Sequence, residues 1–150
     1  MKEHYLEIKL LKIYIYIYIM TEKIFYVCSY GGSGSKMLCN ALGKYGKTEH
    51  IHSRKPPNKL TYYVIYIYRN PSFSIPSRFE EAAHLKNIQI DETIILNDVL
   101  NTGEDLYKIR EFYDNYTKSN EKRNYKIYCV KYEDIFDKQD ELSDLLEIGK

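Results

Sequence analysis

Hydrophobic positions along the chain follow two rhythms. Short unbroken runs, Ile24 to Ser29, Leu60 to Tyr68 and Tyr125 to Lys131, are rich in Ile, Val and Tyr and are bounded by turn-forming residues. Runs of this length and type predict strands buried on both faces, as in the middle of a parallel sheet. Between them, apolar residues recur every three or four positions: Met37, Leu38, Ala41, Leu42 and Tyr45, then Ile94, Ile95, Val99 and Leu100, then Leu106, Ile109, Phe112, Tyr113 and Tyr116. This spacing predicts helices: one stopped by Gly43 or Gly46, one over Glu92 to Leu100 capped by Asp91, one over Glu104 to Lys118, and a last one over Lys138 to Ile148 capped by Asp137. His50 to Ser53 is a candidate short strand. Pro56-Pro57 breaks the basic loop Arg54 to Lys59, and Asn70-Pro71 marks a turn. Ser72 to Phe79 then starts a helix or irregular segment that Pro76 is expected to interrupt.

Strands alternating with helices predict an α/β fold, a three-layer α/β/α arrangement around a mostly parallel sheet that opens with a P-loop-like strand, loop and helix. Ligands of such sheets lie beyond the carboxyl ends of the strands. That edge holds Tyr30 to Lys36, the residues after His50, and Arg69 to Arg78.

Residues 1–19 stand apart. Leu10 to Met20 is apolar except for Lys12, but its 11 residues fall short of the roughly 20 that span a bilayer as a helix. Glu3 and Glu7 before it and Thr21-Glu22-Lys23 after it do not suit a signal peptide. The expectation is no membrane span and a cytoplasmic setting. Ile and Tyr alternate from Ile13 to Ile19, so 1–19 reads either as a tail or annotation extension with Met20 as the true start, or as an extra edge strand. Residues 20–150 read as one domain.

Composition supports that picture. The chain's 150 residues suit a single domain, and its 17 tyrosines, 5 phenylalanines and absence of tryptophan favour strands over a helical bundle. The formal net charge of +1 gives no reason to expect nucleic acid as a partner. Cys28, Cys39 and Cys129 are too widely spaced for a zinc site and read as reduced core thiols. Asn115-Tyr116-Thr117 fits a glycosylation pattern by chance.

The chemistry concentrates in three short segments. Ser29-Tyr30-Gly31-Gly32-Ser33-Gly34-Ser35-Lys36 joins a strand to a helix, where glycines turn backbone N–H groups inward and the helix start favours an anion. It is not the nucleotide-hydrolase loop, because Ser35 separates Gly34 from Lys36. Tyr68-Arg69-Asn70-Pro71, with Ser77 eight residues beyond Arg69, offers a planar guanidinium and a hydroxyl to a phosphate. Tyr132-Glu133-Asp134 follows the last strand, where acidic residues commonly cap a helix.

In this order the three segments resemble the sulfotransferases that use 3′-phosphoadenosine 5′-phosphosulfate, over Ile24 to about Leu146. The resemblance implies that Ser33, Gly34 and Ser35 hold the 5′-phosphosulfate and that Arg69 and Ser77 hold the 3′-phosphate, and Lys36 beside the loop is expected to bind the 5′-phosphosulfate as well. Tyr132, Glu133 and Asp134 match the family's late motif. Where the family carries a lysine two positions before the loop glycine, this chain has Gly32, and the family's later glycine/lysine-rich segment has no counterpart. Lys36, on the first helical turn, is the candidate for the missing charge. His50, His52 and His84 are candidates for taking the proton from a hydroxyl or amine acceptor, with His52 preferred and Arg54 beside it to help hold an anionic substrate. Two other readings stay open: a nucleotide or nucleoside kinase using ATP and Mg²⁺, and a binding module that keeps the anion pocket without turnover.

Overall fold

The computed structural model describes residues 7–13, 22–60, 62–79, 85–86, 88–91 and 93–149. Strand β1 (Ile24–Cys28) leads through the glycine loop into helix α1 (Ser35–Leu42) and back to β2 (Lys47–Ile51). After β3 (Tyr63–Tyr68) come α2 (Pro71–Phe79), α3 (Leu96–Thr102) and α4 (Ile109–Thr117); β4 (Ile127–Lys131), a 3-10 turn (Tyr132–Asp134) and α5 (Gln139–Leu145) close the order.

The four strands form one parallel sheet in the order β2-β1-β3-β4. The α/β class expected from the alternating elements is what the protein adopts. In register, Cys28 stands between Ile51 on one side and Tyr66 on the other. The chain leaves β1 toward β2 and then crosses to β3 on the far side. That reversal opens a crevice at the carboxyl ends of β1 and β3, between the glycine loop and Arg69.

Strand alternation sorts the core by residue type. Phe25, Val27, Ile65 and Ile67 pack on one face with Leu38, Cys39 and Leu42 of α1 and with Ile135 and Leu146. Tyr26, Cys28, Val64 and Tyr66 pack on the other with Tyr107, Phe112 and Tyr116. The Tyr66 ring stacks on Tyr116 at 4.6 Å and on Phe112 at 5.9 Å. Burying each such side chain contributes roughly 1.5–3 kcal/mol, so both faces anchor the strands whose ends carry the site.

Several boundaries differ from the sequence expectation. β2 runs over Lys47–Ile51 instead of His50 to Ser53; as an edge strand with one neighbour it is defined by backbone pairing and needs no apolar run. β3 and β4 begin at Tyr63 and Ile127, later than Leu60 and Tyr125; the register with their neighbouring strands starts at those two residues. Helix α2 continues through Pro76. Pro71 suits a first helical position, Asn70 accepts the Ser72 and Ser74 amides, and buried Ser74 and Arg78 hold the helix on both sides of the proline.

Capping explains the remaining shifts. Asp91 folds back on Thr93 instead of starting a helix, and Asp98 receives the Ile95 amide to begin α3. Asp105 receives the Arg110 and Glu111 amides, so α4 starts at Ile109 and not at Glu104. At α5 the cap position belongs to Lys138, not Asp137. Residues 7–13 are helical and exposed; the rest of the Ile-Tyr stretch, Met20 and His84 lie outside the described residues. Among the described residues, no helix is long and apolar enough to cross a membrane.

Candidate functional site

The loop after β1 owes its shape to three glycines in conformations that side chains rarely adopt: Gly31 at φ 120°, Gly32 at 61° and Gly34 at 74°. Each is also crowded. A Cβ on Gly31 would stand 1.9 Å from the Arg78 guanidinium, one on Gly32 2.8 Å from Ser77 Cβ, and one on Gly34 2.4 Å from the Tyr132 ring. Among the described residues, the amides of Gly32 to Met37 donate to no protein acceptor. They head α1, where its positive end adds to the pull on an anion.

Side chains then build inward from the neighbouring strand ends. Ser29 Oγ donates to Ser35 Oγ at 2.8 Å, and Ser35 Oγ lies 2.7 Å from His50 Nε2. His52 Nδ1 stands 2.8 Å from the Ser29 carbonyl and 3.0 Å from Arg78 Nη2. The two contacts compete for Nδ1, which donates to the carbonyl when it carries the ring proton and accepts from Arg78 when it does not. Arg78 is buried; its Nε donates to the Tyr30 carbonyl at 2.6 Å, and burial lowers its pKa. Burial, together with the charges of Arg78 and Lys36, also lowers the His50 pKa. Ser35, His50, His52 and Arg78, with Lys36 and Ser77, line a cleft of about 320 Å³ over the loop.

Arg69, at the end of β3, approaches the loop from the opposite side. Its Nη1 donates to the Gly32 carbonyl at 3.3 Å, and its guanidinium lies between the Phe73 and Tyr132 rings, 4.7 Å from each centroid. Glu133 lies 3.8 Å from Arg69 Nε and accepts the Asn70 amide. The Tyr-Glu-Asp turn therefore supports both Arg69 and Gly34. Arg69 and Ser33 line a second, larger cleft of about 610 Å³, with Tyr30, Tyr68, Ser74 and Tyr113.

The expected site residues thus divide. Gly34, Ser35, Lys36, His52 and Ser77 share the small cleft with His50, whereas Arg69 and Ser33 face the larger one. Ser33 Oγ is buried and donates to the Gly31 carbonyl, which leaves its amide as its contribution to an anion site. Arg54 does not stand with His52 in the cleft; its Nη2 donates to the Ile88 and Gln89 carbonyls. Sequence reasoning missed Arg78. Its signal was the pairing of Ser74 and Arg78 four residues apart, on the helix face turned toward the loop.

No protein-family model, curated protein or solved structure matches this chain.

Proposed function

We propose that this protein is a sulfotransferase, binding 3′-phosphoadenosine 5′-phosphosulfate at the carboxyl edge of β1 and β3 and serving a hydroxyl or amine acceptor. The observation that carries the reading is convergence on the glycine loop. Arg69 bonds Gly32, Ser77 packs on the same glycine, and Tyr132 lies against Gly34. The two later segments, Arg69 to Ser77 and the Tyr-Glu-Asp turn, both come within contact of the glycine loop.

The residues fit such an anion. A backbone bare of Cβ atoms, the unpartnered amides of Gly32 to Met37 and the cations Lys36, Arg69 and Arg78 surround the loop. When bound, the donor supplies a sulfuryl group on a good phosphate leaving group. The amides and the start of α1 hold the anion, while Lys36 and Arg78 offset charge that develops on it. Arg69 and Ser77 anchor the 3′-phosphate from the β3 side. His52 is assigned the acceptor's proton, its orientation held through Nδ1.

Position 32 bears on turnover. Its left-handed backbone and contact with Ser77 leave no room for the lysine that the family uses there, so the charge falls to Lys36 and Arg78. This departure favours, as a second reading, a module that binds the nucleotide without transferring from it. Calorimetric titration with 3′-phosphoadenosine 5′-phosphate, against ATP with Mg²⁺, tests the donor site. Saturable binding of the bisphosphate is expected; binding of ATP alone would move the protein to the kinase reading. Transfer assays with the intact donor then separate enzyme from module.

A further inference from the structure

We propose that His50 makes anion binding over the glycine loop proton-dependent: the imidazole takes up a proton as an anion enters the small cleft and gives it back as the anion leaves. The inference rests on the reading of the loop as an anion site, but on neither the nucleotide nor sulfuryl transfer. It starts from the hydrogen bond between Ser35 and His50. Ser35 is the first residue of α1; Ser29 Oγ donates to its hydroxyl, and its own proton goes to His50 Nε2 at 2.7 Å. In that arrangement Nε2 is an acceptor and the ring is neutral. The ring also lines the cleft and is exposed at the sheet edge, so it exchanges protons directly with water.

The groups around His50 set the direction of the coupling. Lys36 faces it from α1 and Arg78 from α2, and these charges add to partial desolvation in lowering its pKa. His52, two residues further along the chain, meets it edge to face at 4.6 Å. Glu49, its neighbour in β2, points to the other side of the strand. Among the described residues, no carboxylate lines the cleft. An anion held there offsets the repulsion from Lys36 and Arg78 and attracts the imidazolium, so it raises the pKa of the ring it approaches. Once protonated, Nε2 becomes a donor, and the Ser35 hydroxyl accepts from it instead of donating to it. Between the free and the bound pKa, binding takes up a proton, and affinity falls as pH rises through that interval.

The test is calorimetric titration of the full chain with inorganic sulfate, whose own charge is constant over the range, at fixed ionic strength and in steps between about pH 5 and pH 8. The parent is compared with His50→Gln and His52→Gln, and is also titrated in two buffers of different ionisation enthalpy, which counts the protons taken up. The parent should bind sulfate about fivefold or more weakly at the upper end of the range than at the lower, the size expected of a partly screened charge, with net proton uptake in between. His50→Gln should give a flat profile and His52→Gln a profile like the parent's. Imidazole NMR of the parent, which needs no variant, should show the pKa of one histidine rising on saturation with sulfate. Binding that is constant across the range without proton uptake, or a pH dependence that survives in His50→Gln, would overturn the proposal and leave the anion site standing. Failure of sulfate to bind at any pH would overturn both.

Discussion

Ser35 Oγ and His50 Nε2 are 2.7 Å apart, and Ser29 Oγ donates to the same serine from 2.8 Å. Ser35 therefore donates its single proton to His50, which requires a neutral imidazole at Nε2. The histidine's lowered pKa, caused first by burial and then by Arg78 and Lys36, agrees with that requirement. One hydrogen-bond chain thus ties the end of β1, the start of α1 and the edge strand β2 around the candidate anion site.

Stability should follow the protonation of His50. Its folded pKa lies below its unfolded value, so between the two the unfolded chain binds more protons and stability rises with pH. This contribution is complete above the unfolded value, near 6.5, and is lost as pH falls toward the folded one. In melting curves between roughly pH 5 and pH 7, His50→Gln, which keeps an acceptor but does not titrate, should show a shallower decline than the parent. Parallel declines would contradict the role given to His50.

Introducing at position 32 the lysine that sulfotransferases carry in the corresponding loop should fail. Gly32→Lys would place a Cβ 2.8 Å from Ser77 Cβ on a backbone with φ 61°. A loss of about 1–3 kcal/mol in urea unfolding is expected, with no gain in sulfuryl transfer. A stable, more active variant would show that the loop accepts the lysine and that Lys36 and Arg78 are not its substitutes.

Burial determined which parts of this arrangement the sequence disclosed. β1 and β3 are central strands covered on both faces, so their apolar runs marked them, and with them the positions of the glycine loop and Arg69. β2 carries Lys47 and Glu49 at the sheet edge and left a weak apolar signal. Pro76 concealed the continuity of α2, because the contacts that hold that helix, such as Arg78 to Tyr30, join residues 48 apart in sequence. The large cleft was hidden for the same reason: Tyr30, Ser74 and Tyr113 come from three separate segments whose patterns specify only local structure.

Cys28 should be inert while the protein is folded. Burial pushes its thiol up to about 12, and its Sγ donates to the Tyr116 hydroxyl at 2.8 Å. Peptide mapping after iodoacetamide treatment near pH 8 should find Cys28 unmodified unless denaturant is present. Rapid native labelling would contradict the packing of β1 against α4.

Arg78 links α2 to both the loop and β2. Arg78→Met removes the donor to the Tyr30 carbonyl and the guanidinium that packs beside His52 and should cost about 1–3 kcal/mol in chemical unfolding. Arg78→Lys should rescue only part of this, since an ammonium cannot reproduce the planar fork. Full rescue by lysine would reduce Arg78 to a simple positive charge.

The measurement that tests the central claim most directly compares 3′-phosphoadenosine 5′-phosphate with 5′-AMP, on the parent and on Arg69→Ala. The two ligands differ only in the 3′-phosphate, the group assigned to Arg69 and Ser77. The parent should favour the bisphosphate by about tenfold or more, consistent with a charge-assisted contact, and Arg69→Ala should erase most of that preference while still binding 5′-AMP. Equal affinities in the parent, or a preference that survives the loss of Arg69, would contradict the assignment.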